Sequence, residues 1–231
     1  MTAPRGIRGI LFDAGGTLIH VDGRRFCEAA ALSFDDEGFA RAESAAVAEV
    51  RAWILAHPES TDLERLPLFL DTILRHLAVA SEPDRRAAAA RVTEEHRRSN
   101  LWSRPTAGAS ETLSALRRRG YRLGVVSNAD GRVRELLEKA QVASFFDCIL
   151  DSAKIGLEKP DRRIFLAAAE KLGMPAESCA YVGDIYEIDI LGAKRAGLYP
   201  VLIGDCPAEE PVVRIQALEE LLGLFTGVVN E

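Results

Sequence analysis

The stretch IRGILFDAGGTL, residues 7–18, joins a short apolar run to one carboxylate and two glycines. The run 7–12 is rich in Ile, Leu and Phe, which predicts a strand buried on both faces, as in a parallel sheet. Such a strand places Asp13 at its carboxyl end, directly before a sharp turn that Gly15 and Gly16 allow. The stretch therefore predicts an α/β fold with an acid at the edge of the sheet.

The second half of the chain repeats this pattern of strands and adds helices between them. Further apolar, strand-forming runs lie at residues 121–127, 148–150, 179–183 and 199–203. Amphipathic segments lie at residues 110–119, 162–172 and 188–196, and each is followed by a glycine, as is typical of a helix end. This alternation predicts a parallel sheet covered by helices on both faces, with right-handed crossovers.

Between the first strand and this second half, residues 24–100 have a different character. They are rich in Ala, Glu, Arg and Leu, with apolar residues at helical spacing, for example Leu66, Leu70 and Leu74. The pattern predicts a bundle of about four helices inserted into the α/β unit. We therefore predict a core domain of residues 1–20 and 101–231 and a helical domain of residues 21–100.

Composition and charge exclude several classes of function. A net charge of −6 and a pI near 5.4 argue against a nucleic-acid-binding surface. No apolar run approaches the roughly 18 residues of a membrane span, and the start of the chain lacks a signal-peptide core. The four cysteines are far apart, which argues against zinc and disulfide frameworks. We expect a cytoplasmic protein, monomeric or homodimeric, that acts on a small molecule.

The ends of the predicted strands carry chemically useful side chains. In open parallel sheets the ligand lies beyond the carboxyl ends of the strands. The residues that the pattern brings to this edge are Asp13, Ser127, Asn128, Lys159 and Asp184. Two carboxylates can hold Mg²⁺, one of them can act as a nucleophile, and a hydroxyl and a lysine can hold phosphate oxygens. The set predicts phosphoryl transfer.

Four segments in this order resemble the motifs of the haloacid dehalogenase-like (HAD) hydrolase superfamily. They are FDAGGTL (12–18), VVSNAD (125–130), GLEKPD (156–161) and YVGDIYEIDILGAKRAGL (181–198). The helical insertion between the first two resembles the C1 type of cap, so the resemblance covers essentially the whole chain. It implies a Rossmann-like α/β core with an inserted helical C1 cap, and a Mg²⁺-dependent hydrolase of phosphorylated metabolites.

The resemblance also implies a role for each matching residue. Asp13 is the expected nucleophile, which forms an aspartyl-phosphate. The residues expected to bind the phosphate are Thr17, Ser127, Asn128 and Lys159. The expected Mg²⁺ ligands are Asp13, the backbone carbonyl of Gly15, Asp184 and Asp189, with Glu187 as the alternative to Asp189.

One position departs from the family pattern. Phosphatases of this family carry a second Asp two positions after the nucleophile, where it serves as general acid and base, and this chain has Gly15 there. Loss of such a group typically costs about 10²–10⁴ in rate. The favoured interpretation is a phosphatase whose substrate has a good leaving group, or one that borrows an acid, with His20 as a candidate.

Two other interpretations remain open. A catalytically weak binding or regulatory protein is consistent with Gly15, although the other motif residues are chemically intact. A 2-haloacid dehalogenase also lacks the second acid, but it needs no metal, and the pair Asp184 and Asp189 argues against it. In the cap, Arg24 and Arg25 are candidate contacts for an anionic substrate.

Overall fold

A computed structural model describes residues 6–228 of the chain. Its contacts divide the chain into two compact units. One unit contains the residues up to His20 together with those from Arg104 onward, and the other is Val21–Ser103. We call them the α/β unit and the helical unit.

The described strands, in chain order, are β1 (Gly9–Phe12), β2 (Ile19–Val21), β3 (Trp102–Pro105), β4 (Arg122–Ser127), β5 (Cys148–Asp151), β6 (Cys179–Gly183), β7 (Tyr199–Ile203) and β8 (Val213–Ile215). Within the described part of the chain, β2 pairs with β3, and the others form one sheet in the order β5-β4-β1-β6-β7-β8. Every pairing in this sheet is parallel. The predicted parallel sheet is therefore confirmed. Strands β2, β3 and β8 were not predicted from the sequence patterns.

The α-helices of residues 6–228 are α1 (Gly23–Ala30), α2 (Asp36–Ala56), α3 (Asp62–His76), α4 (Glu82–Arg98), α5 (Ala109–Arg118), α6 (Val133–Lys139), α7 (Ser152–Ile155), α8 (Arg162–Lys171), α9 (Leu191–Ala196) and α10 (Leu221–Leu224). A π-helical turn, Tyr186–Ile190, precedes α9. The prediction of an α-helix over residues 188–196 is thus wrong in its first turn, because a wider turn occupies that part of the chain. Helices α6, α7 and α10 were not predicted.

Strand β1 lies in the interior of the sheet, where it pairs with both β4 and β6. All four of its residues are buried, which explains why the run is apolar without alternation. Phe12 stands level with Val125 on β4 and with Val182 on β6. The carboxyl ends of β1, β4 and β6 therefore lie next to one another, and so do the residues at these ends.

Helix α8 covers part of one sheet face through a continuous apolar cluster. Ile164, Phe165 and Ala168 are fully buried against strand residues that include Tyr181. The rings of Phe165 and Tyr181 meet edge to face, with centroids 4.9 Å apart, a favoured aromatic geometry. Burial of this kind supplies most of the stabilisation of such a sheet.

Four helices, α1 to α4, build the helical unit. Each has a side-chain cap at its N-terminus, and the caps are Asp22, Asp35, Thr61 and Ser81. Such caps satisfy backbone N–H groups that the helix itself leaves without a partner. Among the described helices, none combines the length and the apolar character of a membrane-spanning segment.

Arg24 and Arg25, the two candidate contacts for an anionic substrate, make contacts inside the helical unit. Arg25 donates to the carbonyls of Ser99 and Asn100 and to the Glu95 carboxylate, at 2.7 Å from the latter. The guanidinium of Arg24 lies over the Phe34 ring. Arg25 therefore ties α1 to the end of α4, a structural role that differs from the predicted contact with an anionic substrate.

Candidate active site

Three neighbouring strands deliver the first side chains of the site. Asp13 directly follows β1, Ser127 is the last residue of β4, and Asp184 directly follows β6. Because β1 lies between β4 and β6, the three residues share the carboxyl edge of the sheet. Asp13 and Ser127 are buried, whereas Asp184 is partly exposed. The sequence prediction of a shared edge follows directly from the parallel pairing.

Lys159 reaches this edge from the loop before α8. Its ammonium donates to Asp13 Oδ1 at 2.7 Å, to Asp189 Oδ1 at 2.8 Å and to the Tyr181 hydroxyl at 3.0 Å. All three ammonium hydrogens thus have a partner. The side chain is only 2% exposed, and charge-assisted bonds at such a buried position are strong.

Three carboxylates gather around this lysine. One oxygen from each of Asp13, Asp184 and Asp189 lies within 4.8 Å of the others. The second oxygen of Asp189 accepts the backbone N–H of Ile185. Oδ1 of Asp184 is buried and has no hydrogen-bond partner among the described residues. An orphaned buried carboxylate oxygen is costly unless a cation or a ligand completes it.

The electrostatics of the cluster reflect its burial. Burial raises the pKa of Asp13 to about 7, although Lys159 opposes the shift. Burial and the charges of Asp189 and Asp13 raise the pKa of Asp184 well above its usual range. For Lys159, burial opposes protonation, but the attraction of Asp13 and Asp189 prevails and raises its pKa. The raised pKa values of Asp13 and Asp184 show that the site disfavours their charged forms. A divalent cation bound among these oxygens would favour the charged forms.

Two glycines leave room for these carboxylates. A Cβ on Gly16 would overlap the Asp184 carboxylate, and a Cβ on Gly183 would overlap Asp189. Gly16 also has φ +74°, in the left-handed region that favours glycine. The glycines thus allow the carboxylates to approach one another. Three clustered carboxylates, one of them with an oxygen that has no hydrogen-bond partner among the described residues, suit a hard divalent cation such as Mg²⁺. Glu187 is not among the clustered acids of the described residues.

The remaining residues of the first motif lie in the turn after β1. Gly15 forms an isolated bridge with Ile19. Thr17 is fully buried, and its carbonyl accepts from the Thr106 hydroxyl. His20 lies on β2, where burial and the charge of Arg104 lower its pKa. A lowered pKa disfavours the protonated imidazole, which is the form that could donate the proton that position 15 lacks.

Asn128 follows Ser127 and makes an unusual pair of bonds. Its Oδ1 accepts the backbone N–H of Lys159 at 2.8 Å, and its Nδ2 donates to the carbonyl of the same residue at 3.0 Å. Asn128 was predicted to bind substrate. In the structure its carboxamide is engaged with the main chain of Lys159.

Sequence reasoning missed three side chains that support the site. Tyr181 donates to the Val126 carbonyl at 3.0 Å and accepts from Lys159. Asp151 and Ser152 accept backbone N–H groups of residues 129–133. A tyrosine inside a fully buried strand needs a partner for its hydroxyl, which is a usable signal. Asp151 also follows the apolar run 148–150, so the strand-end argument applies to it as well.

The comparisons with known proteins agree with this arrangement. A family model described as haloacid dehalogenase-like hydrolase matches residues 7–197. The glyceraldehyde 3-phosphate phosphatase of Methanopyrus kandleri is 35% identical over 138 residues, which cover 59% of this chain and 58% of that protein. The chain spans less than two thirds of the length of the curated relatives that it matches first.

Solved structures share the fold. A HAD phosphatase from Thermococcus onnurineus superposes with a TM-score of 0.61 at 20% identity, over 94% of this chain and 97% of that one. A dehalogenase with an intermediate complex gives a TM-score of 0.68 at 22% identity, over 98% and 100% of the two chains. At such identities the likeness establishes the common α/β architecture, and the chemistry has to be argued from the site.

Proposed function

Because the chain belongs to the haloacid dehalogenase-like hydrolase family, we propose that it is a Mg²⁺-dependent phosphatase of a small phosphorylated metabolite. The observation that carries the proposal is the cluster of Asp13, Asp189 and Lys159, all buried, with the partly exposed Asp184 at one sheet edge. The likeness to glyceraldehyde 3-phosphate phosphatases supports it. In this proposal the helical unit is the C1 cap.

Asp13 is the proposed nucleophile. One of its carboxylate oxygens attacks the phosphorus atom, the bond from phosphorus to the ester oxygen breaks, and an aspartyl-phosphate forms. Water then cleaves this intermediate, releases inorganic phosphate and restores the carboxylate. The contact with Lys159 at 2.7 Å keeps the carboxylate in one orientation, so less entropy is lost on reaching the transition state.

Lys159 and Ser127 are the residues proposed to bind the phosphate group; we call them the phosphate holders. Both are buried: Ser127 is the last residue of β4, and Lys159 reaches Asp13 from the loop before α8. A buried cation stabilises the charge that develops on the phosphoryl oxygens more strongly than an exposed one, because water does not screen it. Thr17 is fully buried in the turn after β1. We propose that it supports the phosphate site from this turn.

The proposed Mg²⁺ ligands are Asp13, Asp184, Asp189 and the backbone carbonyl of Gly15. When bound, Mg²⁺ neutralises phosphate charge and orients the phosphoryl group. Asp184 contributes the orphaned oxygen. Asp189 joins the cation site to Lys159, with which it shares a bond of 2.8 Å.

Gly15 sets a condition on the substrate. With no side chain at position 15 to protonate the leaving oxygen, and with the pKa of His20 lowered by burial and by Arg104, the chain favours substrates whose leaving group departs as an anion. Acyl phosphates and sugar 1-phosphates have such leaving groups. We propose that they are turned over faster than simple alkyl phosphates.

Phosphate release from a panel of acyl phosphates, sugar 1-phosphates and alkyl phosphomonoesters tests the proposal. We expect turnover with Mg²⁺, none with EDTA, and none in Asp13→Asn, while Asp36→Asn, at an exposed helix end, matches the unchanged protein. Circular dichroism checks that both variants fold. Turnover that persists in Asp13→Asn contradicts the nucleophile assignment. Silence over the whole panel favours a binding protein, and halide release from 2-haloacids favours a dehalogenase.

A further inference from the structure

Asn128 links the two loops that carry the proposed phosphate holders. It directly follows Ser127 at the end of β4, and its carboxamide bonds to both main-chain polar groups of Lys159, 31 residues away. The two bonds, of 2.8 and 3.0 Å, use the oxygen and the nitrogen of one planar group. A planar clamp of this kind fixes the direction of the bound backbone as well as its position.

The loop that carries Asn128 is itself held firmly. Ser152 Oγ accepts the N–H of Ala129 at 3.0 Å, and Asp151 accepts the N–H groups of Gly131 and Val133 at 3.0 and 3.1 Å. Asp151 and Ser152 are buried. The clamp therefore connects Lys159 to a rigid support, since buried and fully satisfied polar networks resist displacement.

Lys159 has a long side chain that needs such support. Its ammonium must lie among Asp13, Asp189 and Tyr181 at once. The partners fix the ammonium end, but the direction in which the side chain starts depends on its main chain. The carboxamide of Asn128 sets that main chain, while the hydroxyl of Tyr181 supports the other end.

We propose that Asn128 is a positioning residue. Its carboxamide holds the main chain of Lys159, so that Ser127 and Lys159 keep the spacing that one phosphoryl group requires. The inference rests on the proposed phosphatase function and deepens it: Asn128 acts through Lys159 rather than on the substrate.

Steady-state kinetics with Asn128→Ala tests this assignment, and Ser152→Ala is the matched control. Both variants remove a side-chain bond made to or from residues 128–133. Ser152→Ala leaves in place the two bonds of Asp151 to this loop and both bonds between Asn128 and Lys159, whereas Asn128→Ala removes the latter. A displacement of about 1 Å at a catalytic group costs up to ~10² in rate. For Asn128→Ala we expect kcat to fall about 10- to 100-fold on every substrate that is turned over, with KM within about threefold. For Ser152→Ala we expect kcat within about threefold.

Two kinetic outcomes contradict the proposal. One is a rise in KM that differs from substrate to substrate while kcat stays constant, which indicates a direct substrate contact of Asn128. The other is an equal loss of kcat in Ser152→Ala, which indicates general loosening of the loop.

Amide hydrogen exchange separates failure of the clamp from failure of the phosphatase assignment. If the unchanged protein releases no phosphate from any substrate, the proposed function is wrong, and the exchange of the Lys159 amide still reports on the clamp. We expect at least about tenfold faster exchange of this amide in Asn128→Ala and no change in Ser152→Ala. Equal protection in both variants contradicts the clamp.

Discussion

Residue 15 determines how far this chain can follow the chemistry of its family. In the proposed reaction, a glycine there leaves the leaving oxygen without a proton donor from that position. We expect Gly15→Asp to raise turnover of alkyl phosphates several-fold, because a positioned acid contributes up to about 10²–10⁴. Phosphate release is the measurement. Gly15→Asn is the control, since its side chain has nearly the same size but transfers no proton, and an equal gain in both variants would refute the role of proton transfer.

At Gly16, both the backbone conformation and the surrounding space require a glycine. Its φ of +74° disfavours any side chain, and a Cβ would overlap the Asp184 carboxylate. Gly204 has φ +82° but open space around it. We expect Gly204→Ala to cost only the backbone strain, about 1–2 kcal/mol. Gly16→Ala should cost more and should also weaken Mg²⁺ binding at least about tenfold. Urea unfolding and calorimetric titration measure the two effects, and identical losses in both variants would show that the overlap is unimportant.

Single residues were predictable where a motif or a strand end identified them. Asp13, Ser127 and Asp184 follow apolar runs, and parallel pairing brings them to one edge. Tyr181 was not predicted, because its hydroxyl reaches the site from within β6 and only the packing of neighbouring strands shows what it touches. Its contact with Lys159 depends on two segments that are distant in sequence.

At the scale of elements, Asp151 joins the end of β5 to the starts of two helices. Its oxygens accept the N–H groups of Gly131, Val133 and Ala153. An amide has one acceptor oxygen, so Asp151→Asn leaves at least one buried donor without a partner. We expect a loss of about 1–3 kcal/mol in the free energy of unfolding, measured in urea.

The exposed helix cap Asp35 provides the comparison for Asp151. Within residues 6–228, its side chain accepts the N–H of Gly38, and Asn caps a helix about as well as Asp. We expect Asp35→Asn to change stability by less than about 0.5 kcal/mol. A loss in Asp151→Asn no larger than this would show that the buried caps do not stabilise the loop.

The π-helical turn at Tyr186–Ile190 shows where local patterns fail. Its sequence, YEIDI, is compatible with an ordinary α-helix, as the prediction for residues 188–196 assumed. The turn instead widens where Asp189 bonds to Lys159 and to the N–H of Ile185. Single wide turns of this kind occur often at functional sites, and the long-range bond to Lys159 is the feature that a sequence pattern does not contain.

At the scale of the whole molecule, the buried carboxylates couple cation binding to stability. At 100 times its dissociation constant, a ligand that binds only the folded state adds about 2.7 kcal/mol, which raises Tm by about 5 °C or more for a chain of this size. We expect MgCl₂ to produce such a shift in a thermal unfolding experiment, relative to EDTA.

Asp184→Asn is the matching variant for this shift. Removal of one carboxylate should abolish the Mg²⁺-dependent rise in Tm. In EDTA the same variant should be at least as stable as the unchanged protein, because it relieves repulsion among the buried carboxylates. A full Mg²⁺ shift in Asp184→Asn would contradict the proposed cation site.

The sequence alone determined the α/β class, the helical insertion after the first strand, and the acids and lysine of the proposed site. The fold class and the insertion follow from short-range features, namely apolar runs and helix ends. Asp13 and Asp184 follow from their positions after strands, Lys159 from its loop before a helix, and Asp189 from the motif resemblance. Only the tertiary structure decided the order of the strands, the wide turn before α9 and the contacts of Tyr181 and Asn128. Those features arise from pairings between residues far apart along the chain, and the free energy of such pairings depends on how the whole chain packs.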